Sequence, residues 1–398
     1  MSDKRYKLPL GFKASGVSSG IKKSNKKDLA LIVSDIPAQA AGVYTKNIVK
    51  GHSLKWTMEH IKGNCIKAIT INSGNANACV GPAGDADAEI MAEYTAKLIG
   101  CDKSEVLLGS TGVIGHRLPM ENIKTGIKKA YEQLSADGAS DAASAIMTTD
   151  TIKKEISVDI NLSGKTATIY GMAKGSGMIH PNMATLIVVF LTDASISNVM
   201  LQKALSCAVN KSFNRVSIDG DTSECDMVLM LANGKAGNPV IEQENDDFKI
   251  FAEEFEKAAI YLAKLIAKDG EGATKLVEIR VINAPDGNTA HVIANSISTS
   301  LLVKTAIFGQ DANWGRIMNA MGYSGAPFNP ETVDIWLGDL PVCKDGTGLA
   351  FNEEKALAIL SKDELVITID LKMGTASDTM WTCDISYDYV KINSSYRS

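Results

Sequence analysis

Residues 174–191 read KGSGMIHPNMATLIVVFL and join a loop rich in glycine and proline to a run of six apolar residues. The run Leu186-Ile187-Val188-Val189-Phe190-Leu191 is far shorter than the roughly 20 apolar residues of a membrane helix. Its β-branched side chains and its length are typical of a buried strand. The sequence therefore predicts that Thr185 stands where an irregular loop meets a strand of the protein interior.

Short β-type runs alternate with helical patterns on both sides of this segment. Further strands are predicted at 29–33, 68–71, 106–108, 156–160, 166–170, 276–281, 333–337, 364–371 and 380–387. Helices are predicted at 85–99, 120–134, 140–147, 196–209, 246–268, 289–307 and 314–321. This mixture indicates an α/β or α+β protein.

The length indicates more than one domain, because single cores rarely grow past about 250–300 residues and the chain has 398. The turn-rich segment NAPDG at 283–287 is the best candidate for a boundary. We predict a main domain over 1–283 and a smaller α/β domain over 284–398.

Charge and composition argue against several classes of partner and site. The net charge of −5 comes from 41 basic and 46 acidic residues, whereas nucleic acids and anionic membranes favour basic proteins. The start of the chain lacks the apolar stretch of a signal sequence. The seven cysteines have no paired short spacing, which favours reduced thiols in the cytoplasm, and the five scattered histidines predict no metal site.

Two interpretations of Thr185 remain open from position alone. A β-branched residue at a strand start is ordinarily there for packing. A threonine hydroxyl becomes a nucleophile only with a nearby base. The residue's own α-amine, with an ordinary pKa of about 7.7–8.0, supplies one if the chain is cut between Ala184 and Thr185.

Residues 174–185 resemble the cleavage-site signature of the ornithine (glutamate) N-acetyltransferases. Other blocks resemble the same family in family order: GVYTKN (42–47), NSGNANAC (72–79), STGVIG (110–115), MTTDT (147–151), DGDTS (219–223), DGEGATK (269–275), FGQDANWGR (308–316) and YVKIN (389–393). The resemblance therefore covers essentially the whole chain and favours the catalytic interpretation of Thr185.

The resemblance implies a fold and an activity. The expected fold is the αββα-type sandwich of the self-cleaving amidase and ornithine acetyltransferase superfamily, with a smaller C-terminal α/β domain. Autocleavage would give an α chain (1–184) and a β chain (185–398), associated as a heterotetramer. The enzyme would move an acetyl group from N2-acetylornithine to glutamate through acetyl-Thr185 in arginine biosynthesis, without a cofactor. Acetyl-CoA is a possible second acetyl donor.

The resemblance also implies site residues. Thr111 and Gly112 match the family's oxyanion hole, which stabilises the tetrahedral intermediate. The family's substrate contacts correspond to Thr151, Lys174, Thr185, Glu271, Asn393 and Ser398. By charge complementarity, Lys174 would pair with a substrate carboxylate and Glu271 with an ammonium group. Ordinary turn chemistry at 110–112 and solvated charges at 174 and 271 are the structural alternatives.

Two other functions stay open. An amidase or aminopeptidase could use the same terminal threonine, with water in place of glutamate as the acceptor. A binding protein that has lost cleavage would remain a single chain. A Ser-His-Asp triad around His180 is disfavoured, because no GxSxG motif accompanies it. The DGDTS loop lacks the spacing of a calcium loop, so we assign it to shaping the wall of the site.

Overall fold

The computed structural model describes residues 6–180 and 186–395, and these residues form two compact units. The first unit holds the described residues up to 178 together with 186–214 and 221–262. The second holds 179–180, 215–220 and 263–395. The predicted boundary at residue 284 lies at the end of a strand of the second unit, and independent folding of 1–283 and 284–398 stays a prediction.

The first unit alternates strands and helices. Its strands are β1 (Phe12–Val17), β2 (Leu29–Tyr44), β3 (Ile66–Asn75), β4 (Val106–Val113), β5 (Lys154–Leu162), β6 (Lys165–Lys174), β7 (Ile187–Thr192) and β8 (Met227–Ala232). Its helices are α1 (His52–His60), α2 (Pro82–Ile99), α3 (Met120–Glu132), α4 (Ala139–Ile146), α5 (Asn198–Lys211) and α6 (Asp246–Lys268), the last of which continues into the second unit.

The long strand β2 links the two halves of an eight-stranded sheet within the described residues. The order is β4-β3-β2-β8-β7-β6-β5, and β1 pairs with β2. The first part of β2 pairs with β1 and β3, whereas Gln39–Tyr44 pairs with β8. The register shifts between Val33 and Ala38, so the two halves of the sheet separate at this point.

The halves of the sheet enclose one apolar core and carry helices on their outer faces. Ile69 of β3 and Leu229 of β8 belong to the same buried cluster. On the outer face of the first half, Leu108 packs in a cluster with residues of α2 and α3. On the outer face of the second half, the ring of Phe190 meets Phe255 of α6 edge-on at 4.7 Å. This layering confirms the predicted αββα sandwich.

The end of β6 and the starts of β7 and β8 lie side by side at the same end of the second half of the sheet. Strand β7 runs parallel to β8, with Ile187 opposite Met227, and antiparallel to β6, with Lys174 opposite Ile187. The N–H of Met227 donates to the carbonyl of Leu186 at 3.0 Å. The start of the buried strand therefore lies beside the last residue of β6.

The described residues of the second unit form a six-stranded mixed sheet with helices. Its strands are β9 (Leu276–Ala284), β10 (Asp334–Leu337), β11 (Leu340–Lys344), β12 (Thr347–Gly348), β13 (Glu364–Asp370) and β14 (Ala376–Cys383), in the order β12-β11-β10-β13-β9-β14. Its further helices are α7 (Gly287–Thr299), α8 (Leu301–Phe308), α9 (Trp314–Gly322), α10 (Glu353–Leu360) and α11 (Tyr387–Ser394). Residues of α7, α9 and α10 share one core cluster with the sheet.

The single helix predicted over 289–307 is wrong, because α7 and α8 are separate helices that meet at Ser300. Ser300 has an extended backbone (φ −67°, ψ 112°), and its hydroxyl accepts a hydrogen bond from the N–H of Val303. A serine cap starts a new helix even where the apolar pattern continues. Across the described part of the chain, no helix is long and apolar enough to span a bilayer.

Candidate active site

Lys174 and Thr111 are in contact inside the first unit. Lys174 is the last residue of β6, and its ammonium group donates to the hydroxyl of Thr111 on β4 at 3.2 Å. The two residues are only 2% and 4% exposed. A buried ammonium group is costly without polar partners, so this arrangement points to a constructed polar site rather than a solvated surface charge.

Gly112 follows Thr111 in a backbone conformation that requires glycine. Its φ of +132° is unusual for residues with a side chain. A Cβ atom at this position would come within 2.4 Å of the carbonyl carbon of Gly74 on the paired strand β3. The register of β3 and β4 is irregular here. The close approach of the two strands therefore fixes the peptide that carries the Gly112 N–H.

Asp150 fixes the backbone on the other side of Lys174. Its buried carboxylate accepts hydrogen bonds from the N–H of Gly175 at 2.8 Å and from the ammonium of Lys154 at 2.7 Å. Burial opposes ionisation, but Lys154, Lys174 and the Gly175 N–H outweigh it and lower the pKa of Asp150 to about 2. Thr151, the next residue, is exposed. Asp150 is thus an anion that orders the end of β6.

A third lysine contributes to the electrostatics of this cluster. Burial lowers the pKa of Lys22 to about 8, although the carboxylates of Asp28 and Asp150 oppose the shift. The Lys22 ammonium donates to the carbonyl of Met147 at 2.7 Å. The three positive charges of Lys22, Lys154 and Lys174 thus exceed the two negative charges of Asp28 and Asp150 by one. Such a surplus suits an anionic group of a ligand.

Asp226 is a residue of this region that sequence reasoning missed. It directly precedes β8, is 1% exposed, and lies beside Leu186 at the start of the parallel pair β7 and β8. Neither of its carboxylate oxygens has a hydrogen-bond partner among the described residues. Burial raises the pKa of Asp226 well above its ordinary value, and Lys174 offsets only part of that shift. An aspartate joined to the apolar run MVLMLA was the available signal.

Glu271 and Asn393 are in contact inside the second unit. The side-chain amide of Asn393 on α11 donates to the carboxylate of Glu271 at 2.8 Å, and Glu271 is buried. Gly272 has a φ of +68°, and a Cβ there would come within 2.5 Å of the N atom of Tyr389. The hydroxyl of Ser386 also donates to the Gly272 carbonyl at 2.5 Å. Helix α11 therefore packs closely on the loop that carries Glu271.

His180 contacts a hydroxyl group in the second unit. Its Nδ1 lies 3.2 Å from the Oγ of Ser217. In the same part of the chain, the N–H of Ile179 donates to the carboxylate of Asp219 at 2.9 Å. Asp219 opens the DGDTS block, so part of that block orders the chain on the N-terminal side of the predicted cleavage position.

The predicted site residues thus form two contacting pairs, Lys174 with Thr111 and Glu271 with Asn393. Gly112 adjoins the first pair, whereas Thr151 is exposed next to Asp150. Ala184, Thr185 and Ser398 lie outside the described residues. The roles assigned to all these residues stay predictions.

Comparisons with known proteins identify the family. The model of the ArgJ family matches residues 13–398. The arginine biosynthesis bifunctional protein ArgJ of Caldanaerobacter subterraneus subsp. tengcongensis is 50% identical, over 100% of this chain and 99% of the relative. ArgJ 1 of Clostridium acetobutylicum is 49% identical, over 97% and 96%. The crystal structure of ArgJ from Bacillus halodurans is 45% identical with a TM-score of 0.50, and the match covers 52% of this chain and 97% of that chain. The chain described here belongs to the ArgJ family.

Proposed function

We propose that this protein transfers an acetyl group from N2-acetylornithine to glutamate, as an acyltransferase of arginine biosynthesis. The observation that carries the proposal is the buried pair Lys174 and Thr111 at the sheet edge where β7 begins. Thr185, the predicted nucleophile, directly precedes Leu186 in the sequence. The names of the family relatives place them in arginine biosynthesis.

The nucleophile arises by cleavage between Ala184 and Thr185. The Thr185 hydroxyl attacks the Ala184 carbonyl carbon, and the peptide C–N bond breaks, which leaves an ester and frees the α-amine of Thr185. Water then hydrolyses the ester to the Ala184 carboxylate and the free Thr185 hydroxyl. The α chain (1–184) and the β chain (185–398) stay associated because β6 and β7, one from each chain, are paired in the sheet. The solved B. halodurans chain supports this proposal: it is matched over 97% of its length yet covers only 52% of this sequence, as expected of one cleavage product.

Acetyl transfer then follows a ping-pong route. The Thr185 hydroxyl attacks the acetyl carbonyl, ornithine leaves, and the amine of glutamate takes the acetyl group from the Thr185 ester. Each step forms a tetrahedral oxyanion. The hydroxyl of Thr111 and the N–H of Gly112 are the proposed donors to it, and the loss of one such donor typically costs about 2.7–4 kcal/mol.

Charge complementarity assigns the substrate groups. The positive charges of Lys22, Lys154 and Lys174 around Asp150 support the binding of a substrate carboxylate at Lys174. The carboxylate of Glu271, which accepts a hydrogen bond from Asn393, supports the binding of the side-chain ammonium of ornithine at this residue. Thr151 and Ser398 complete the proposed set of substrate contacts.

A second activity is supported by the relatives. The C. subterraneus relative carries the word bifunctional in its name, as does the C. acetobutylicum one. We therefore propose that acetyl-CoA also acetylates Thr185, which would make N-acetylglutamate directly from glutamate. Incubation of the protein with acetyl-CoA and glutamate should release free CoA thiol in proportion to N-acetylglutamate.

A hydrolase with the same nucleophile is the alternative. The two are separated by incubating the purified protein with N-acetylornithine, with and without glutamate, and following both ornithine and N-acetylglutamate. Transfer predicts that ornithine release requires glutamate beyond the first turnover and equals N-acetylglutamate formed. Ornithine release at an equal rate without glutamate, with acetate as the product, would exclude transfer.

The assembly and the compartment belong to the same proposal. Two α and two β chains would form a heterotetramer in the cytoplasm. All seven cysteines lie in the described part of the chain and are free thiols, which agrees with a reducing compartment. The molar mass from light scattering, compared with the masses on a denaturing gel, tests the stoichiometry.

A further inference from the structure

Four lysines stand within six residues of the loop that precedes β2. Residues 22–27 read KKSNKK, in a chain whose net charge is −5. Lys27 pairs with the carboxylate of Asp141. Lys23 and Lys26 are exposed, and neither forms an ion pair with a described residue. This basic loop (residues 22–27) therefore carries more positive charge than its described neighbours compensate.

A buried carboxylate holds the main chain of the basic loop in one shape. Asp28 is 0% exposed and accepts hydrogen bonds from the N–H groups of Ser19 and Lys22, at 2.6 and 3.0 Å. The N–H of Asn25 donates to the carbonyl of Lys22 at 3.4 Å, which closes a turn with Lys23 at its corner. Because these bonds fix the backbone, binding a ligand here costs little additional ordering of the chain.

The basic loop packs against the strand that borders the proposed oxyanion hole. A Cβ atom on Gly74 of β3 would lie 3.1 Å from the side chain of Ile21 and 3.3 Å from that of Lys22. Gly74 is paired with Gly112 of β4 in the sheet. The Lys22 ammonium donates to the carbonyl of Met147 at 2.7 Å. The first lysine of the loop therefore lies at the proposed active site, and the residues that follow it lead out to solvent.

The charge of the basic loop is coupled to the charges of that site. The pKa of Lys22 is lowered to about 8, mainly by burial, and the positive charges of Lys174 and Lys26 act in the same direction. The carboxylates of Asp28 and Asp150 oppose the shift. Positive charge therefore extends from Lys174 in the interior, through Lys22, to the exposed part of the loop.

We propose that the basic loop binds the phosphate groups of acetyl-CoA, with Lys23 and Lys26 as the charged contacts. The inference rests on the proposed second activity, in which acetyl-CoA is the acetyl donor. The pantetheine arm of acetyl-CoA separates the phosphates from the acetyl thioester, so their partners should lie outside the buried part of the site. Lysine ammonium groups are point charges on flexible stems and bind phosphate oxygens well.

The proposed contact separates the two acetyl donors. N-acetylornithine and glutamate carry no phosphate group, so their binding does not need the exposed lysines of the basic loop. S-acetylpantetheine, an acetyl thioester that lacks the phosphates, does not need them either. Charge on the loop should therefore affect acetyl-CoA alone among these substrates.

The decisive variant is Lys23→Gln with Lys26→Gln, which removes both charges and keeps polar side chains. We expect the KM for acetyl-CoA to rise about tenfold or more, because charge-assisted bonds to phosphate are lost. The KM values for S-acetylpantetheine and N-acetylornithine should stay close to those of the wild type. Added salt should raise the KM for acetyl-CoA more in the wild type than in the variant, because exposed charges are screened. Lys23→Arg with Lys26→Arg, which keeps the charge, should retain the wild-type KM.

Lys62→Gln with Lys165→Gln is the matched control. Both are exposed lysines of the first unit, and neither forms an ion pair with a described residue. Lys62 precedes the start of β3, whereas Gly74 is near its end, and Lys165 begins β6, whereas Lys174 ends it. The control changes the net charge by the same amount, away from the basic loop. It should leave the KM for acetyl-CoA and its salt dependence unchanged.

The outcomes are separable from failure of the proposed function. An unchanged KM for acetyl-CoA in the loop variant, or an equal rise for S-acetylpantetheine, overturns the phosphate contact but leaves transfer from N-acetylornithine intact. If the wild type does not turn over acetyl-CoA, titration calorimetry with CoA decides. Binding that the loop variant weakens and the control does not supports the proposal, and no binding by the wild type overturns it. Absence of transfer from N-acetylornithine in the wild type would instead overturn the proposed function.

Discussion

The ammonium of Lys174 donates a hydrogen bond to the hydroxyl oxygen of Thr111, across 63 positions of sequence. A hydroxyl has one hydrogen to donate and two lone pairs to accept. Because Lys174 occupies a lone pair, the hydrogen of Thr111 is left for another acceptor, and a charged donor strengthens the next bond in such a chain. The contact therefore prepares Thr111 to donate to a developing oxyanion.

Thr111→Val removes this donor at nearly constant shape. We expect kcat to fall by about 10²–10³, with KM changed less than threefold, because the hydrogen bond is strongest in the transition state. Thr111→Ser keeps the hydroxyl and should retain most of the activity. Steady-state kinetics with N-acetylornithine and glutamate measure both. A Thr111→Val enzyme with wild-type kcat would exclude the hydroxyl from the oxyanion hole.

Thr185→Ala removes the proposed nucleophile. The variant should stay a single chain near 42.4 kDa on a denaturing gel, whereas the wild type gives two smaller bands. It should also show no acetyl transfer, because neither cleavage nor acylation has an attacking oxygen. Thr185→Ser should be cleaved, with serine as the first residue of the β chain by terminal sequencing. Transfer activity in Thr185→Ala would rule out this nucleophile.

Asp150→Asn breaks a buried ion pair on one side. Lys154 would lose the buried charge of Asp150, and the free energy of unfolding should drop by about 3–5 kcal/mol. Urea unfolding followed by circular dichroism measures the change. The double variant Asp150→Asn with Lys154→Met removes both charges and should recover much of the loss. Equal stability of the single variant and the wild type would contradict the structural role of this pair.

The lowered pKa of the Asp150 carboxylate also predicts that acid reduces the stability of the folded protein. The pKa of Asp150 is about 2 in the folded protein, below its ordinary value of 3.8. A lowered folded-state pKa stabilises the protein above the ordinary pKa, and this contribution is lost as the pH falls from about 4 to about 2. The wild type should therefore lose more stability over this window than the double variant. Parallel acid-unfolding curves for the two proteins would refute the expectation.

Glu271→Gln tests the proposed ammonium site. We expect the KM for N-acetylornithine to rise about tenfold or more, since a charged hydrogen bond typically contributes about 1.5–3 kcal/mol. The KM for glutamate should change less, because glutamate has no side-chain ammonium. Asn393→Ala, which frees Glu271 from its amide partner but keeps the charge, should have the smaller effect on N-acetylornithine. Equal changes for both substrates in Glu271→Gln would place the carboxylate elsewhere.

Local sequence patterns predicted helices and strands well where the periodicity of apolar residues was clear. The bounds of α6 match the predicted helix at 246–268, because its apolar residues recur at helical spacing over six turns. The strand β8 was not predicted, although its six residues are all buried and Asn233-Gly234 follows them, since periodicity alone does not tell a short apolar strand from a buried helix segment. The break at Ser300 was missed because a cap depends on backbone geometry that apolar periodicity does not report.

The sequence by itself determined the family, the layered α/β class and the strand-type run that follows Thr185. These features depend on motifs and on periodicities that are local in the chain. Only the tertiary structure decided that Lys174 touches Thr111, that Asn393 holds Glu271, and that the carboxylate of Asp226 is buried with no hydrogen bond among the described residues. Those facts arise from strand register and packing between residues far apart in sequence. Where packing excludes water, a charge without partners costs much more free energy than it would at the surface.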